Sequence, residues 1–196
     1  MSSSTPIIIW DVDDVLNCLM ESWLNHWNQE NNSNIVLKDI KENPPHEILG
    51  TTKETYFTSL DEFRNSESGK YVLANSIVMN WFEGHGNKFN HAACAARPIE
   101  TMPNQAWWIY YNYGQWIHTV HAAKTVRDLM DNHHPATKAD FISWMNRDIL
   151  FIDDSEENVN AVSEKGTDSV LYPQPWNGSN YSEEGFIEAL NHKLGI

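Results

Sequence analysis

Two short acidic clusters carry the chemistry this chain could do. Asp11-Val12-Asp13-Asp14 follows the apolar run Ile7-Ile8-Ile9-Trp10, and Asp153-Asp154 follows Ile149-Leu150-Phe151-Ile152. Each run is short and apolar, the first rich in β-branched residues and bounded by Pro6, as buried strands are. The carboxylates therefore stand where strands end. Alternation along a strand sends Asp11 and Asp13 to one side and Val12 to the other. Carboxylates held side by side are costly unless a cation or a substrate needs them. In an open parallel sheet, sites form at the carboxyl ends of the strands. If these two strands are neighbours, their acids meet in one crevice as hard oxygen donors suited to Mg²⁺. Taken singly, Asp11 reads as an acidic turn, and Asp153-Asp154 before Ser155-Glu156-Glu157-Asn158 as a capped helix start. The two ends together point to a site.

The elements that must position these acids fall into two parts. After the first cluster, Leu16, Leu19, Met20, Trp23, Leu24 and Trp27 recur at helical spacing. Asn28 to Asn34 is a polar break, and residues 35–50 read as short helical pieces around Pro44-Pro45, closed by Gly50. Residues 52–64 and 70–82 read as two further helices, the second marked by Val72, Leu73, Ile77, Val78, Trp81 and Phe82. Gly84-His85-Gly86-Asn87 is a turn. From there strand and helix alternate. A strand near 89–95 leads to a helix after Pro103, a strand at 116–121, a helix from Lys138 to Arg147 and the strand ending at Asp153. A helix at 155–165, stopped by Gly166, a strand at 169–172, a loop from Pro173 to Asn177 and a helix at 183–194 complete the chain. Such alternation implies an α/β fold with a parallel sheet covered by helices on both faces.

Composition bounds the function. A length of 196 residues suits one domain with a modest insertion, and 41% hydrophobic residues with nine Trp, seven Tyr and seven Phe provide for a packed core. The net charge of −14 argues against a nucleic acid polymer as partner. It also repels phosphorylated substrates, so a metal and local cations must do the attracting. Cys18 and Cys94 imply no disulfide framework and a reducing compartment. The polar tail Met1 to Pro6 and the short apolar run behind it do not make a signal peptide, and no run is long enough for a membrane span. A cytoplasmic location is the plain expectation. None of the nine histidines is spaced like a zinc signature: His118 and His121 face opposite sides of a strand, and His133-His134 falls in a loop before Pro135.

Ile9-Trp10-Asp11-Val12-Asp13-Asp14-Val15-Leu16 resembles the first motif of the haloacid dehalogenase (HAD) superfamily, and Phe151-Ile152-Asp153-Asp154-Ser155-Glu156-Glu157-Asn158 resembles its fourth. The family's third motif, a lysine shortly before the fourth, is matched by Lys138, with Lys124 a more distant candidate. Its second, a Thr or Ser ending a strand, is matched by Ala92-Ala93-Cys94-Ala95-Ala96-Arg97-Pro98, which is similar to a Leu-Thr-Ala-Arg-Pro form with Ala95 at the hydroxyl position. That missing hydroxyl is the main departure.

The resemblance implies a Rossmann-like core at 6–17 and 88–196 with a small helical cap, 18–87, inserted after the first strand. The layout looks most like the 5′(3′)-deoxyribonucleotidase branch. By the resemblance Asp11 is the nucleophile and forms an aspartyl-phosphate, while Asp13 protonates the leaving group and then activates water. Lys138 orients Asp11 and neutralises charge. Mg²⁺ is held by the Asp11 carboxylate, the Asp13 carbonyl and Asp153, with Asp154 in support. The amides of Ala95 and Ala96 are candidates to bind a phosphate oxygen, and Arg97 either supplies charge to the phosphate or is a surface or structural arginine. Asp13 favours a phosphate over a halide, since dehalogenating members lack an acid there. The implied function is Mg²⁺-dependent hydrolysis of a small phosphomonoester, a nucleoside monophosphate being the leading guess. Trp81 and Phe82 then either pack in the core or stack on the base. The alternative is a degenerate HAD-like protein that binds a phosphorylated ligand or a protein partner with little turnover. Ala95 favours that alternative; intact Asp11, Asp13, Asp153 and Lys138 favour the enzyme. On this placement Ala95→Thr is expected to raise turnover.

Overall fold

Ile7–Trp10 forms β1, the central strand of a five-stranded sheet in a computed structural model that describes residues 6–125 and 137–196. The tail before Pro6 and His133-His134 lie outside the described residues. The other strands are β2 (Asn90–Ala96), β3 (Ile117–Ala123), β4 (Ile149–Asp153) and β5 (Asp168–Leu171). They lie in the order β3-β2-β1-β4-β5, every pair parallel, as a Rossmann-like sheet requires. Trp10 is level with Ala93 on one side and Ile152 on the other.

Between β1 and β2 stand α1 (Leu19–Asn31), α2 (Lys53–Asn65), the short α3 (Glu67–Lys70) and α4 (Ser76–His85). After β2 come α5 (Met102–Tyr113), α6 (Lys138–Met145), α7 (Glu156–Glu164) and α8 (Glu183–Leu194). The alternation along β1 sorts the core. Ile8 and Trp10 join residues of α4, α5 and α8 on one face of the sheet, while Ile9 joins α6 and α7 on the other. The helices α1 and α2 form a third cluster of their own, centred on Trp23, Tyr56, Leu60 and Phe63. The helical segment is thus divided: α4 packs on the sheet, and α1 and α2 pack on each other. No helix among the described residues is long and apolar enough to cross a membrane.

Two helix starts differ from the sequence expectation, each for a local reason. The apolar spacing extends to Leu16, but α1 begins at Leu19 because the turn after β1 closes first, with Leu16 and Asn17 amides donating to the Val12 carbonyl. Leu16 is buried against the sheet instead. The helix expected at 70–82 begins at Ser76, because the Asn75 side chain accepts from the Ile77 and Val78 amides and caps it there. Ahead of Asn75 the backbone runs alongside the first turn, with Asn17 bridged to Ala74.

Trp81 and Phe82 take the packing role of the two weighed for them. They are 3% and 0% exposed, and the Trp10 and Phe82 rings lie 4.9 Å apart. His91 completes this aromatic group. Trp10 Nε1 donates to its Nδ1 at 3.1 Å, and its Nε2 donates to the Gly86 carbonyl at 2.9 Å, which fixes a neutral ring. Burial pushes the His91 pKa down to about 4. The unfolded chain therefore binds a proton near pH 6.5 that the folded chain refuses until about 4, so stability falls as pH drops through that window. Between pH 7 and pH 5 this one group is expected to cost about 2 kcal/mol. Urea titrations at both pH values should show that part of the slope removed in His91→Gln; an unchanged slope would place the protonation elsewhere.

Candidate active site

The turn that follows β1 is built by the acids themselves. Asp14 takes a left-handed backbone (φ 62°), which Asp tolerates better than most residues. Its carboxylate accepts from the Met20 amide at 2.7 Å, and the Asn17 side chain accepts from the Leu19 amide at 3.1 Å, so both cap the start of α1. Burial pushes the Asp14 carboxyl up to about 8. The site's second wall comes from the ladder. The Asp11 amide donates to the Ile152 carbonyl at 2.8 Å, which sets Asp11 beside Asp153 at the ends of adjacent strands.

Three carboxyls meet there. Asp11, Asp153 and Asp154 are all buried, and one oxygen from each lies within 4.8 Å of the others. Lys138, at the start of α6, is also buried and reaches into the group, contacting Asp11 and donating to Asp153 Oδ2 at 2.7 Å. Burial works against the Lys138 ammonium, but Asp11 and Asp153 outweigh it and raise its pKa above the usual lysine value. Burial pushes the Asp11 carboxyl well up; Lys138 opposes this, and the carboxylates of Asp153, Asp154 and Asp13 add to it. Asp154 is likewise raised by burial and then by Asp153 and Asp14. Asp153 is the best supported of the three: Oδ1 accepts from the Ser155 amide at 2.9 Å, and Asn158 Nδ2 donates to both oxygens at 3.2 Å. One ammonium for a crowd of buried oxygens is a donor set short of positive charge, which fits a hard divalent cation.

Asp13 sits apart from this group, in a clamp. Arg97 Nη2 donates to both its oxygens at 2.8 Å, Arg64 Nη2 to Oδ2 at 2.7 Å, and Gln105 Nε2 and Asn17 Nδ2 to Oδ1 at 3.1 and 3.3 Å. Burial works to raise its pKa, but the guanidiniums of Arg97 and Arg64 prevail and hold it well below the usual carboxylate range. Asp13 is therefore ionised and fully engaged.

A cleft of about 180 Å³ opens over the acids, lined on its floor by Asp11, Asp13, Lys138 and Asp153 and on its roof by Leu19, Met20, Tyr56, Phe57, Leu60 and Arg64. The expected residues distribute unevenly about it. Asp11, Asp153, Asp154 and Lys138 come together as one cluster, with Ala96 on the cleft wall. Ala95 does not join them: strand alternation turns its side chain into the apolar cluster under β2, where it is 2% exposed. Arg97 is spent on Asp13 and does not line the cleft.

Sequence reasoning missed Arg64 and Gln105. Each sits within a helix, α2 and α5, and a basic residue in a last helical turn reads as ordinary surface charge. It also missed Trp176, whose Nε1 donates to Asp154 Oδ2 at 2.9 Å, and Asn177, which donates to the Asp154 carbonyl at 2.7 Å. Both lie in a segment with only turn signals.

No family model matches the chain, and no curated protein matches it by sequence. Solved structures do match its fold. A haloacid dehalogenase-like hydrolase from Streptococcus pneumoniae superposes with a TM-score of 0.65 at 12% identity, over 96% of this chain and 98% of that one. Protein tyrosine kinase A from Mycobacterium tuberculosis gives 0.66 at 13% identity, over 99% and 100%. A HAD hydrolase from Bacillus subtilis, described as bound to magnesium, gives 0.58 at 9% identity, over 97% and 99%. At these identities the likeness shows the fold, a HAD-like α/β sheet with helices on both faces.

Proposed function

We propose that this chain is a Mg²⁺-dependent phosphomonoester hydrolase of the HAD type, working through an aspartyl-phosphate on Asp11, with α1 and α2 as its cap. The observation that carries the reading is the buried Asp11–Lys138–Asp153 triad at the ends of two adjacent parallel strands, beside Asp154. The carboxylates of Asp11, Asp153 and Asp154 and the carbonyl of Asp13 would hold the metal, which when bound supplies positive charge for the phosphoryl oxygens.

The chain's own residues supply the rest. Lys138 opposes the burial that raises the Asp11 pKa and aims its carboxyl. An Asp11 oxygen bonds to phosphorus as the ester oxygen leaves. Water then attacks the same phosphorus, and Asp11 departs as a carboxylate. Asp13, ionised in its clamp, is suited to take the proton of that water; to give one to the leaving oxygen it must first loosen from a guanidinium and take up a proton from solvent. The cap's Leu19, Met20 and Tyr56 are buried over the acids and limit the water that reaches them.

A cleft of about 180 Å³ is below the roughly 300–1,000 Å³ of sites for drug-sized ligands, which favours a phosphomonoester smaller than a nucleotide. Nucleoside monophosphates belong in the same assay as the competing class. Phosphate release from a panel of both kinds, with and without Mg²⁺, tests the proposal. Release that requires Mg²⁺ is expected. A folded chain that releases phosphate from no member would instead support the binding reading, which the engaged Asp13 and the absence of a hydroxyl at 95 or 96 favour.

The two alanines make a separate prediction. Ala96→Thr puts a hydroxyl on the cleft wall and should raise turnover about ten- to a hundredfold, the worth of one charge-assisted hydrogen bond of roughly 1.5–3 kcal/mol. Ala95→Thr puts it in the apolar cluster and should cost roughly 1–3 kcal/mol of stability with no gain in rate. Turnover and urea stability of the two variants decide; the reverse assignment would mean that β2 presents Ala95 to the substrate.

A further inference from the structure

Arg64 comes from α2, in the roof, yet its guanidinium reaches down to the turn after β1. Its three nitrogens are used unequally. Nη1 is anchored within its own helix, donating to Asp61 Oδ1 at 2.9 Å. Nη2 donates to Asp13 at 2.7 Å. Nε is buried and has no partner among the described residues. Nε and Nη2 form the lateral edge of the guanidinium, two parallel N–H groups spaced to take both oxygens of one carboxylate. That edge carries one bond where it can carry two.

Its present partner is already served. Arg97 bridges both oxygens of Asp13, and Gln105 and Asn17 donate to it as well. Asp13 can release Arg64 and remain paired. Arg64 is also placed to meet a ligand: it lines the cleft over the acid cluster, and among the described lining residues it is the one cation besides Lys138, which is bound to Asp11 and Asp153. The rest of the roof, Leu19, Met20, Tyr56, Phe57 and Leu60, carries no charge. A leaving group in a cleft this small lies within a few atoms of the phosphoryl group, in the same cleft that Arg64 lines.

We propose that Arg64 is a specificity residue that selects small phosphomonoesters carrying a carboxylate, which takes the Nε–Nη2 edge in place of Asp13. The proposal rests on the phosphomonoesterase reading above and narrows its substrate class. It also gives the Asp13 contact a meaning: Asp13 takes the place on Arg64 that the substrate's carboxylate would take, and an arriving carboxylate frees one face of Asp13 as it binds.

The test compares 3-phosphoglycerate with glycerol phosphate, which differ by a carboxylate in place of a hydroxymethyl group. With Mg²⁺, the native chain is expected to prefer 3-phosphoglycerate about ten- to a hundredfold in kcat/KM, the worth of a charge-assisted fork. Arg64→Gln should bring the ratio near one, and Arg64→Lys, which keeps the charge without the fork, should retain part of it. Release from both esters with a native ratio near one overturns this inference and leaves the phosphomonoesterase reading standing. So does a preference that survives Arg64→Gln. Release from neither ester, nor from any wider panel, overturns the phosphomonoesterase reading. Calorimetric binding of the two esters to Asp11→Asn, with and without Arg64→Gln, then decides the inference alone: equal affinities overturn it, and a preference lost with Arg64 supports it. If Arg64→Gln does not fold, Arg64→Lys carries the comparison, and an undiminished preference there overturns the fork.

Discussion

Asp11→Asn is expected to lower Mg²⁺-dependent phosphate release by roughly 10⁴-fold or more while leaving the fold intact. The substitution keeps the shape of the side chain and one oxygen that can accept from Lys138, so packing at the end of β1 is preserved. It removes the one feature the reaction needs, an anionic oxygen able to bond to phosphorus. The electrostatics separate this variant from a merely unfolded one. Burial and three neighbouring carboxylates raise the Asp11 pKa against the pull of Lys138, so the charge on Asp11 is a cost to the metal-free fold. Asparagine relieves that cost, and the melting temperature without metal should hold or rise. Loss of release with an unchanged or raised melting temperature is the result the proposal requires. Release within a hundredfold of native, from a folded variant, would assign the attack to water and remove Asp11 as nucleophile.

The acids were legible in the sequence because strand ends are. Ile7–Trp10 and Ile149–Ile152 carry unbroken apolar patterns, and a parallel sheet leaves few places for the residues that follow them. The register then brings Asp11 level with Asp153, as their spacing along two strands allowed. Lys138 was reached through family resemblance; its Thr137 cap and first-turn Asp140 mark a helix start but say nothing of which way the lysine turns. The alanines show where one-dimensional reading ends. Whether 95 or 96 faces the cleft depends on the exit angle of β2, and a one-residue difference in phase reverses the answer. Arg64 was illegible for a stronger reason. It lies 51 positions from Asp13 in sequence, and only the packing of α2 over the turn after β1 makes it part of the site. The same holds for Trp176 and Asp154. Residues that supply chemistry from strand ends leave a local pattern; residues that close over them from a cap or a loop do not.

Lys138→Met should be the most destabilising single change in the site. Methionine matches the length and volume of the lysine stem, so the packing of α6 against the sheet survives, and the loss is of charge alone. What remains is Asp11 and Asp153 at the ends of adjacent strands, both buried, without the ammonium that sits between them. Removing one partner of a buried ion pair costs about 3–5 kcal/mol, chiefly because the other is left uncompensated. For a chain of this size each kcal/mol shifts the melting temperature by roughly 2–4 °C, so a drop of order 10 °C is expected in metal-free buffer. The mechanism makes a sharper demand on the double variant. If the cost comes from stranded carboxylates, then adding Asp11→Asn to Lys138→Met removes one of them and should return a substantial part of the lost stability. The two changes would then be far from additive, as directly interacting groups are. Additive melting temperatures would show instead that Lys138 and Asp11 contribute independently and that the triad is not an electrostatic unit. On the proposed reading, the crowding of buried carboxylates that makes Lys138→Met costly is the same crowding that suits the site to a divalent metal.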